Sequence, residues 1–338
     1  MKAAVLHSTG NVDTLAENLK VEEVPRLFAG DDEVIVKVRS ASLNRRDLWI
    51  AQGQYAKIQL PIILGSDCAG IIYARGKNTD GIDELDSVVI NPSLNWGDNE
   101  LHQSKEYSIL GMPDNGTFAD FVRVKSSYVY RMPTHLSFAE ASALPLAGLT
   151  AYRALFRKAN VMSGENVLIT GIGGGVATIA MQFAIAAGAN VFVTSGSEKK
   201  LSKAKDIGAK AGALYTDPDW WKQILSHSKN RIDIVIDGTG GDTMAALLES
   251  VSYGGRIVLY GATLGNTDKV NLHKLFWKQI SLLGSTMGSG NDFAQMLRFV
   301  GERCITPVID SAYDLEYIVT AFQRMKNSEQ FGKIVLNV

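Results

Sequence analysis

Gly171, Gly173, Gly174 and Gly175 crowd into one short stretch of this chain. They follow a brief apolar run, Val167 to Ile169, and precede an alanine-rich stretch that reads as helix to about Ala187. That order is strand, tight turn, helix. Glycines at such a turn let the backbone approach a pyrophosphate, and the first helical N–H groups, here from Gly175 and Val176 onward, point their positive dipole ends at it. As G-x-G-x-x-G from Gly171 the spacing fails, because the last position is Val176. As G-x-x-G-x-x-G it reads Gly171, Gly174, Ala177, and alanine is accepted where helix and strand pack closely. The chemistry expected is dinucleotide binding. A βα turn with no nucleotide has the same sequence signature, so the turn alone leaves both readings open.

The next strand, Asn190 to Thr194, runs into Ser195-Gly196-Ser197, with Lys199 and Lys200 close behind. A fold that holds NAD usually ends this strand in Asp or Glu, which binds the ribose 2′-hydroxyl. Small hydroxyls followed by lysine suit a 2′-phosphate, and so predict NADP(H). Glu198 argues the other way, and the lysines also suit a solvated helix start.

The rest of the chain must position this turn. Its 338 residues make two domains the natural expectation, and 46% hydrophobic composition with 32 glycines suits a turn-rich α/β protein. A net charge of −1 with no long basic run argues against nucleic acid as a partner. No apolar run approaches a membrane span, and the N-terminus lacks a secretory signal and reads as a first strand. The two cysteines, Cys68 and Cys304, fit a reducing, cytoplasmic setting and exclude a cysteine-only zinc site. The five histidines show no ligand spacing.

Residues 1–128 look β-rich. Glu33 to Arg39 alternates as a half-buried strand should, and Ile62 to Ile72, Ser87 to Ile90 and Phe118 to Val124 are further strands. Beyond residue 129 strand and helix alternate, with strands near 190–194, 212–215, 232–237, 256–260 and 280–284. Repeated βα units predict a doubly wound parallel sheet. A helix to Glu302, another over Leu315 to Lys326 and a last strand, Gly332 to Leu336, close the chain.

Further motifs recur in order: Gly65-Ser-Asp-Cys-Ala-Gly70, Gly116-Thr-Phe-Ala-Asp-Phe-Val122, Leu146-Ala-Gly-Leu-Thr-Ala-Tyr152, Gly208-Ala209, Asp237-Gly-Thr-Gly240 and Gly332-Lys333. Together with the glycine turn, the whole chain resembles the medium-chain dehydrogenase/reductase superfamily. The resemblance implies a GroES-like catalytic domain over 1–128, an NADP-binding Rossmann domain over 129–267, and a segment 268–338 that ends the sheet and returns to the catalytic domain. It also implies an active site in the cleft between domains and a homodimer joined edge to edge, with Ile280 to Gly284 as the candidate edge.

Zinc-dependent members of that superfamily take ligands at places where this chain has Asn44, Ser66 and Leu146, which do not make a zinc site. The structural zinc lobe needs cysteines near residues 92–110, and none is there. The expectation is therefore no metal, and a likeness to the zinc-independent branch of quinone oxidoreductases and enoyl or alkenal reductases. By that resemblance Asn44, Tyr55 and Asp67 are the catalytic candidates. The cofactor candidates are Thr150, the glycine turn, Ser195 to Ser197, Lys200, Tyr215, Gly238, Thr239, Gly261, Ala262, Thr263 and Lys333. Arg45 and Arg46 are expected to pair with Asp47 and Asp67; greeting an acidic substrate or cofactor is the other reading. Trp220, Trp221 and Trp277 are read as packing, Trp277 with a further place near the cleft or a subunit contact.

The function expected is NADPH-dependent reduction of a small electrophilic carbonyl or quinone. The rivals are a zinc-type alcohol dehydrogenase and an NADPH-binding structural or regulatory protein.

Overall fold

A computed structural model describes residues 1–268 and 270–338. Two compact units appear: residues 1–149 with 288–338, and residues 150–287.

The first unit is built on one long strand, Glu33–Ser42. Its residues are buried on both faces near the C-terminal end, which places it centrally in a sheet. The sheet runs Val129–Arg131, Ser87–Ile90, Asp67–Arg75, Glu33–Ser42, Lys333–Asn337, Ile309–Asp314, with Phe121–Lys125 also on Glu33–Ser42. Strand Lys333–Asn337 is thus supplied by the far end of the chain, as the expected C-terminal return requires. A three-stranded sheet of Leu19–Glu23, Lys2–Leu6 and Ile62–Ile63 completes the β layer. The core between them is aliphatic, with Phe118 and Phe322 edge to face at 6.4 Å. Helix Gly290–Glu302 buries Phe293, Met296 and Val300, a spacing of one helical face, and starts on a Ser289/Asp292 capping box.

The stretch Ile62 to Ile72 is not one strand. It breaks at Gly65, whose φ is +96° and where a Cβ would lie 2.5 Å from the Phe118 ring. Only glycine fits that turn.

The second unit is a six-stranded parallel sheet in the order Ala211–Leu214, Asn190–Ser195, Asn166–Ile169, Ile234–Asp237, Arg256–Leu259, Ser281–Gly284. This is the Rossmann strand order, reversing direction beside Asn166–Ile169. Helices Gly175–Ala186, Glu198–Ile207, Trp220–His227 and Thr243–Ser250 follow the first four strands in chain order. The apolar strand runs expected from sequence are the buried centres of this sheet, as strands covered on both faces must be.

Further elements differ from the sequence reading. Arg45–Ala51, which the sequence does not mark, is a short helix. Strands Leu19–Glu23 and Ile309–Asp314 carry polar alternation too weak to mark them. Trp277 is 64% exposed, against packing and in keeping with its other reading near the cleft or a subunit contact, whereas Trp220 is buried against Ile224 and its neighbours.

Candidate active site

In the first unit, strand register gathers the polar residues. Ser42 pairs with Asp67 on one side and Val335 on the other. Two residues past Ser42, the chain leaves the strand at Asn44, which is opposite Lys333 by the same antiparallel count. Asn44, Asp67 and Lys333, distant in sequence, therefore meet at one end of the sheet.

They form a closed cluster. The Lys333 ammonium donates to Asn44 Oδ1 at 2.7 Å and to Asp67 Oδ2 at 2.9 Å. Asn44 Nδ2 donates to Asp67 Oδ2 at 2.9 Å. Asp67 Oδ1 accepts the Leu146 backbone N–H at 2.8 Å, and Ser42 Oγ reaches Oδ2 at 3.3 Å. Asp67 is 0% exposed, Lys333 2% and Asn44 7%, so this is a buried ion pair with an amide bridging it. The amide can face only one way: flipped, its NH2 would meet the ammonium and its oxygen the carboxylate.

A second cluster adjoins it. Asn44 caps helix Arg45–Ala51, and its backbone N–H is accepted by Asp47 Oδ2 at 2.8 Å, the return half of a capping box. Asp47 is wholly buried with Oδ1 unpartnered, and burial pushes its carboxyl up to about 6 against the opposing charge of Arg46. Arg46 Nη1 donates to Ser66 Oγ (2.8 Å) and the Leu110 carbonyl (3.0 Å), while its guanidinium lies 5.3 Å from the Tyr55 ring centroid. Neither arginine makes an ion pair with Asp47 or Asp67 among the described residues. Lys333 takes the Asp67 carboxylate instead, and Arg45 reaches the Met325 carbonyl at 3.5 Å. The expectation of Arg–Asp pairing is corrected accordingly. The Tyr55 hydroxyl has no hydrogen-bond partner among the described residues.

In the second unit, the cofactor candidates line the C-terminal ends of the parallel strands. Gly171 and Gly173 have φ of +63° and +120°. Helix Gly175–Ala186 starts on Gly174 with no side-chain cap, so its first N–H groups, including those of Gly175 and Val176, are open to an anion. A Cβ on Gly174 would meet nothing nearer than the Gly171 carbonyl at 3.9 Å, so the backbone there is open on that side. One strand over, Ser195 Oγ accepts the Ser197 N–H at 3.3 Å, and Ser197 starts helix Glu198–Ile207 uncapped by its side chain. Lys200 lies in that helix's first turn. Tyr215 packs on Gly196, where a Cβ would fall 2.6 Å from its hydroxyl. Across the sheet, Thr263 Oγ1 donates to the Gly238 carbonyl at 3.1 Å, and Gly261 and Ala262 approach the 238–240 loop closely. Thr150 is buried in helix Pro145–Tyr152.

Asp237 organises this rim and was singled out only as part of a motif. It is fully buried and accepts from Thr170 Oγ1, from Thr239 Oγ1 at 2.5 Å and from Gly240 N–H at 2.9 Å. It ties the glycine turn to the loop carrying Gly238 and Thr239. Burial, reinforced by this carboxylate, pushes the Tyr260 phenol upward. A carboxylate ending the apolar run Ile234 to Ile236 was the signal in the sequence.

Comparison with known proteins agrees with this geometry. A family model described as alcohol dehydrogenase GroES-like domain matches residues 30–134, and one described as zinc-binding dehydrogenase matches 175–302. A zinc-type alcohol dehydrogenase-like protein YogA of Leptosphaeria maculans is 33% identical over 95% of this chain and 94% of its own. An acryloyl-coenzyme A reductase of Metallosphaera sedula is 31% identical over 95% and 96%. The crystal structure of an NAD-dependent alcohol dehydrogenase superposes with a TM-score of 0.93 at 35% identity, covering both chains fully. The chain belongs to the medium-chain dehydrogenase/reductase superfamily. It is an oxidoreductase of that superfamily, with a GroES-like and a Rossmann unit, and a nicotinamide cofactor is the group its glycine turn fits.

The zinc in one family description does not fit the residues present. No group of three or more His, Cys, Asp or Glu side chains suited to a metal occurs among the described residues. Of the three ligand places, Asn44 Oδ1 accepts from the Lys333 ammonium, Ser66 Oγ is engaged by Arg46 and the Leu110 carbonyl, and Leu146 has an apolar side chain; none is a thiolate, imidazole or carboxylate. No helix among the described residues is long and apolar enough to cross a membrane.

Proposed function

We propose that the chain is an NADPH-dependent, metal-independent reductase of quinones or α,β-unsaturated carbonyls. The observation that carries this reading is the buried Asn44–Asp67–Lys333 cluster, in which Asn44, at one of the three ligand places, is taken up by hydrogen bonds. Oxidising a simple alcohol near neutral pH calls for a Lewis acid that stabilises an alkoxide. A conjugated acceptor needs less, because its developing charge is delocalised and hydrogen-bond donors suffice. The relative named acryloyl-coenzyme A reductase supports a conjugated acceptor.

A bound reduced nicotinamide supplies the hydride. The chain's residues then have separate tasks. The glycine turn and the open helix start at Gly175 bind pyrophosphate. Ser195, Ser197 and Lys200 recognise the adenosine 2′-phosphate, with Tyr215 beside them. Asn44 and Tyr55 hold the acceptor oxygen as the electron pair pushed through the conjugated system makes it negative. The proton that completes reduction comes from solvent or the Tyr55 hydroxyl.

The free edge of strand Ser281–Gly284 supports a homodimer. It is the last strand of its sheet, with Leu282, Phe276 and Trp277 exposed beside it.

The test is NADPH and NADH consumption against quinones, alkenals and enones, beside NAD(P)-dependent oxidation of primary alcohols. Turnover of conjugated acceptors with NADPH supports the reading. Strong alcohol turnover, or a preference for NADH, contradicts its respective half. Silence on every substrate favours a binding protein.

A further inference from the structure

Lys333 does more in this structure than a cofactor contact would ask of it. Its ammonium is almost wholly buried, and two of its three protons go to Asn44 and Asp67. The third has no acceptor among the described residues. An ammonium can donate three hydrogen bonds, so this buried group keeps one donor in reserve. Its two acceptors hold it rigidly, since each is fixed in turn: Asp67 by the Leu146 N–H and Ser42, Asn44 by the one orientation its amide can adopt. A buried ion pair of this kind is weak evidence for stability, because well-packed apolar side chains generally do as well.

We infer that the Lys333 ammonium is the resident cation of the reducing site, and that its third proton binds the acceptor oxygen that turns negative as hydride arrives. The inference rests on the reductase reading and deepens it. It assigns to an ammonium, anchored on Asn44 and Asp67, the charge that a metal supplies elsewhere. In the step itself the hydride, with both electrons of the C–H bond that breaks on the reduced nicotinamide, forms the new C–H bond at the electrophilic carbon; the C=C pair shifts to join the α-carbon to the carbonyl carbon, and the C=O π pair moves onto the oxygen. The ammonium hydrogen-bonds that oxygen without surrendering its proton, and solvent protonates the enolate carbon.

The decisive experiment needs no turnover. 4-Nitrophenol, whose anion is yellow, serves as a mimic of the oxyanion and is titrated with pH on the full chain saturated with oxidised cofactor. Wild type is expected to lower the ionisation pH of the bound phenol by about one unit or more, as a cation within hydrogen-bond reach does. Lys333→Met should abolish that shift, with cofactor affinity by fluorescence changed less than about threefold. Lys333→Arg keeps the charge but moves the donors, and should retain a smaller shift. Thermal melting checks that each variant is folded. Should Lys333→Met not fold, wild type against Lys333→Arg decides, and an identical shift in the two overturns the inference. An unshifted phenol on wild type, or no binding of it, also overturns the inference. So does a Lys333→Met that keeps the shift but loses cofactor affinity, the behaviour of a cofactor contact. If no enone or quinone is reduced, the reductase reading fails, while the phenol shift still reports on the cation by itself.

Discussion

Asp47 shows how far one residue's surroundings set its chemistry. Its carboxyl is raised from an ordinary 3.8 to about 6, chiefly by burial. The folded chain therefore holds this proton more tightly than the unfolded chain does. Its contribution to stability is greatest below the unfolded pKa and is lost as pH rises through about 6. Asp47→Asn removes the titration while keeping an acceptor for the Asn44 N–H. Relative to that variant, wild type should lose about 2 kcal/mol of stability between pH 4 and pH 7, measured by urea unfolding. Parallel pH profiles for the two proteins would show that Asp47 is ionised at no cost. Tyr55 offers a second test at this scale. Phenylalanine keeps the ring over Arg46 and removes only an unpartnered hydroxyl. Tyr55→Phe should melt within a few degrees of wild type and reduce acceptors about tenfold more slowly. An unchanged rate removes Tyr55 from the site and leaves hydride transfer standing. None of these environments was legible beforehand. Asn44, Asp67 and Lys333 were each singled out by motif, but their meeting depends on the register of two strand pairs far apart in sequence. The choice of Lys333 over the arginines as Asp67's partner is a matter of three-dimensional reach.

At the scale of elements, the parallel sheet was the most legible part. Runs such as Asn166-Val-Leu-Ile169 and Ile234-Val-Ile-Asp237 are continuous because both faces of the sheet are covered. The glycine turn marked its own place, since positive φ at Gly171 and Gly173 leaves few alternatives to glycine. Helix Arg45–Ala51 was missed because its seven residues are too short for periodicity to show. Strand Ile309–Asp314 was missed because polar residues dominate it, and it is held by Lys333–Asn337 instead of by burial. The element that ends in Ser195 carries a prediction. It has no acidic residue at its tip, so NADPH should bind more tightly than NADH in fluorescence titrations. Lys200→Ala should weaken NADPH several-fold, with NADH little changed. Equal weakening of both would assign Lys200 to the helix and not to a 2′-phosphate.

For the whole molecule, two long-range features set the outcome: a Rossmann sheet with Ala211–Leu214 at one edge and Ser281–Gly284 at the other, and a first unit that recruits the chain's last strand. The recruitment was legible only through family resemblance, because nothing in Lys333 to Asn337 itself names its partner. The Ser281–Gly284 edge, which exposes Leu282, predicts association. Sedimentation should give twice the mass of the 36.6 kDa chain, and Leu282→Lys, a charge on the edge strand, should shift it toward monomer. A wild-type monomer at micromolar concentration would set that surface free of a second copy. The central claim, reduction of a conjugated acceptor without a metal, meets its most direct test in isotope transfer. The enzyme is dialysed against a chelator and given NADPH deuterated at the transferable C4 position, together with an α,β-unsaturated ketone. The account predicts undiminished turnover and deuterium at the β-carbon of the saturated product. Deuterium at the carbonyl carbon of an allylic alcohol, or activity that disappears with the chelator and returns with zinc, would contradict it.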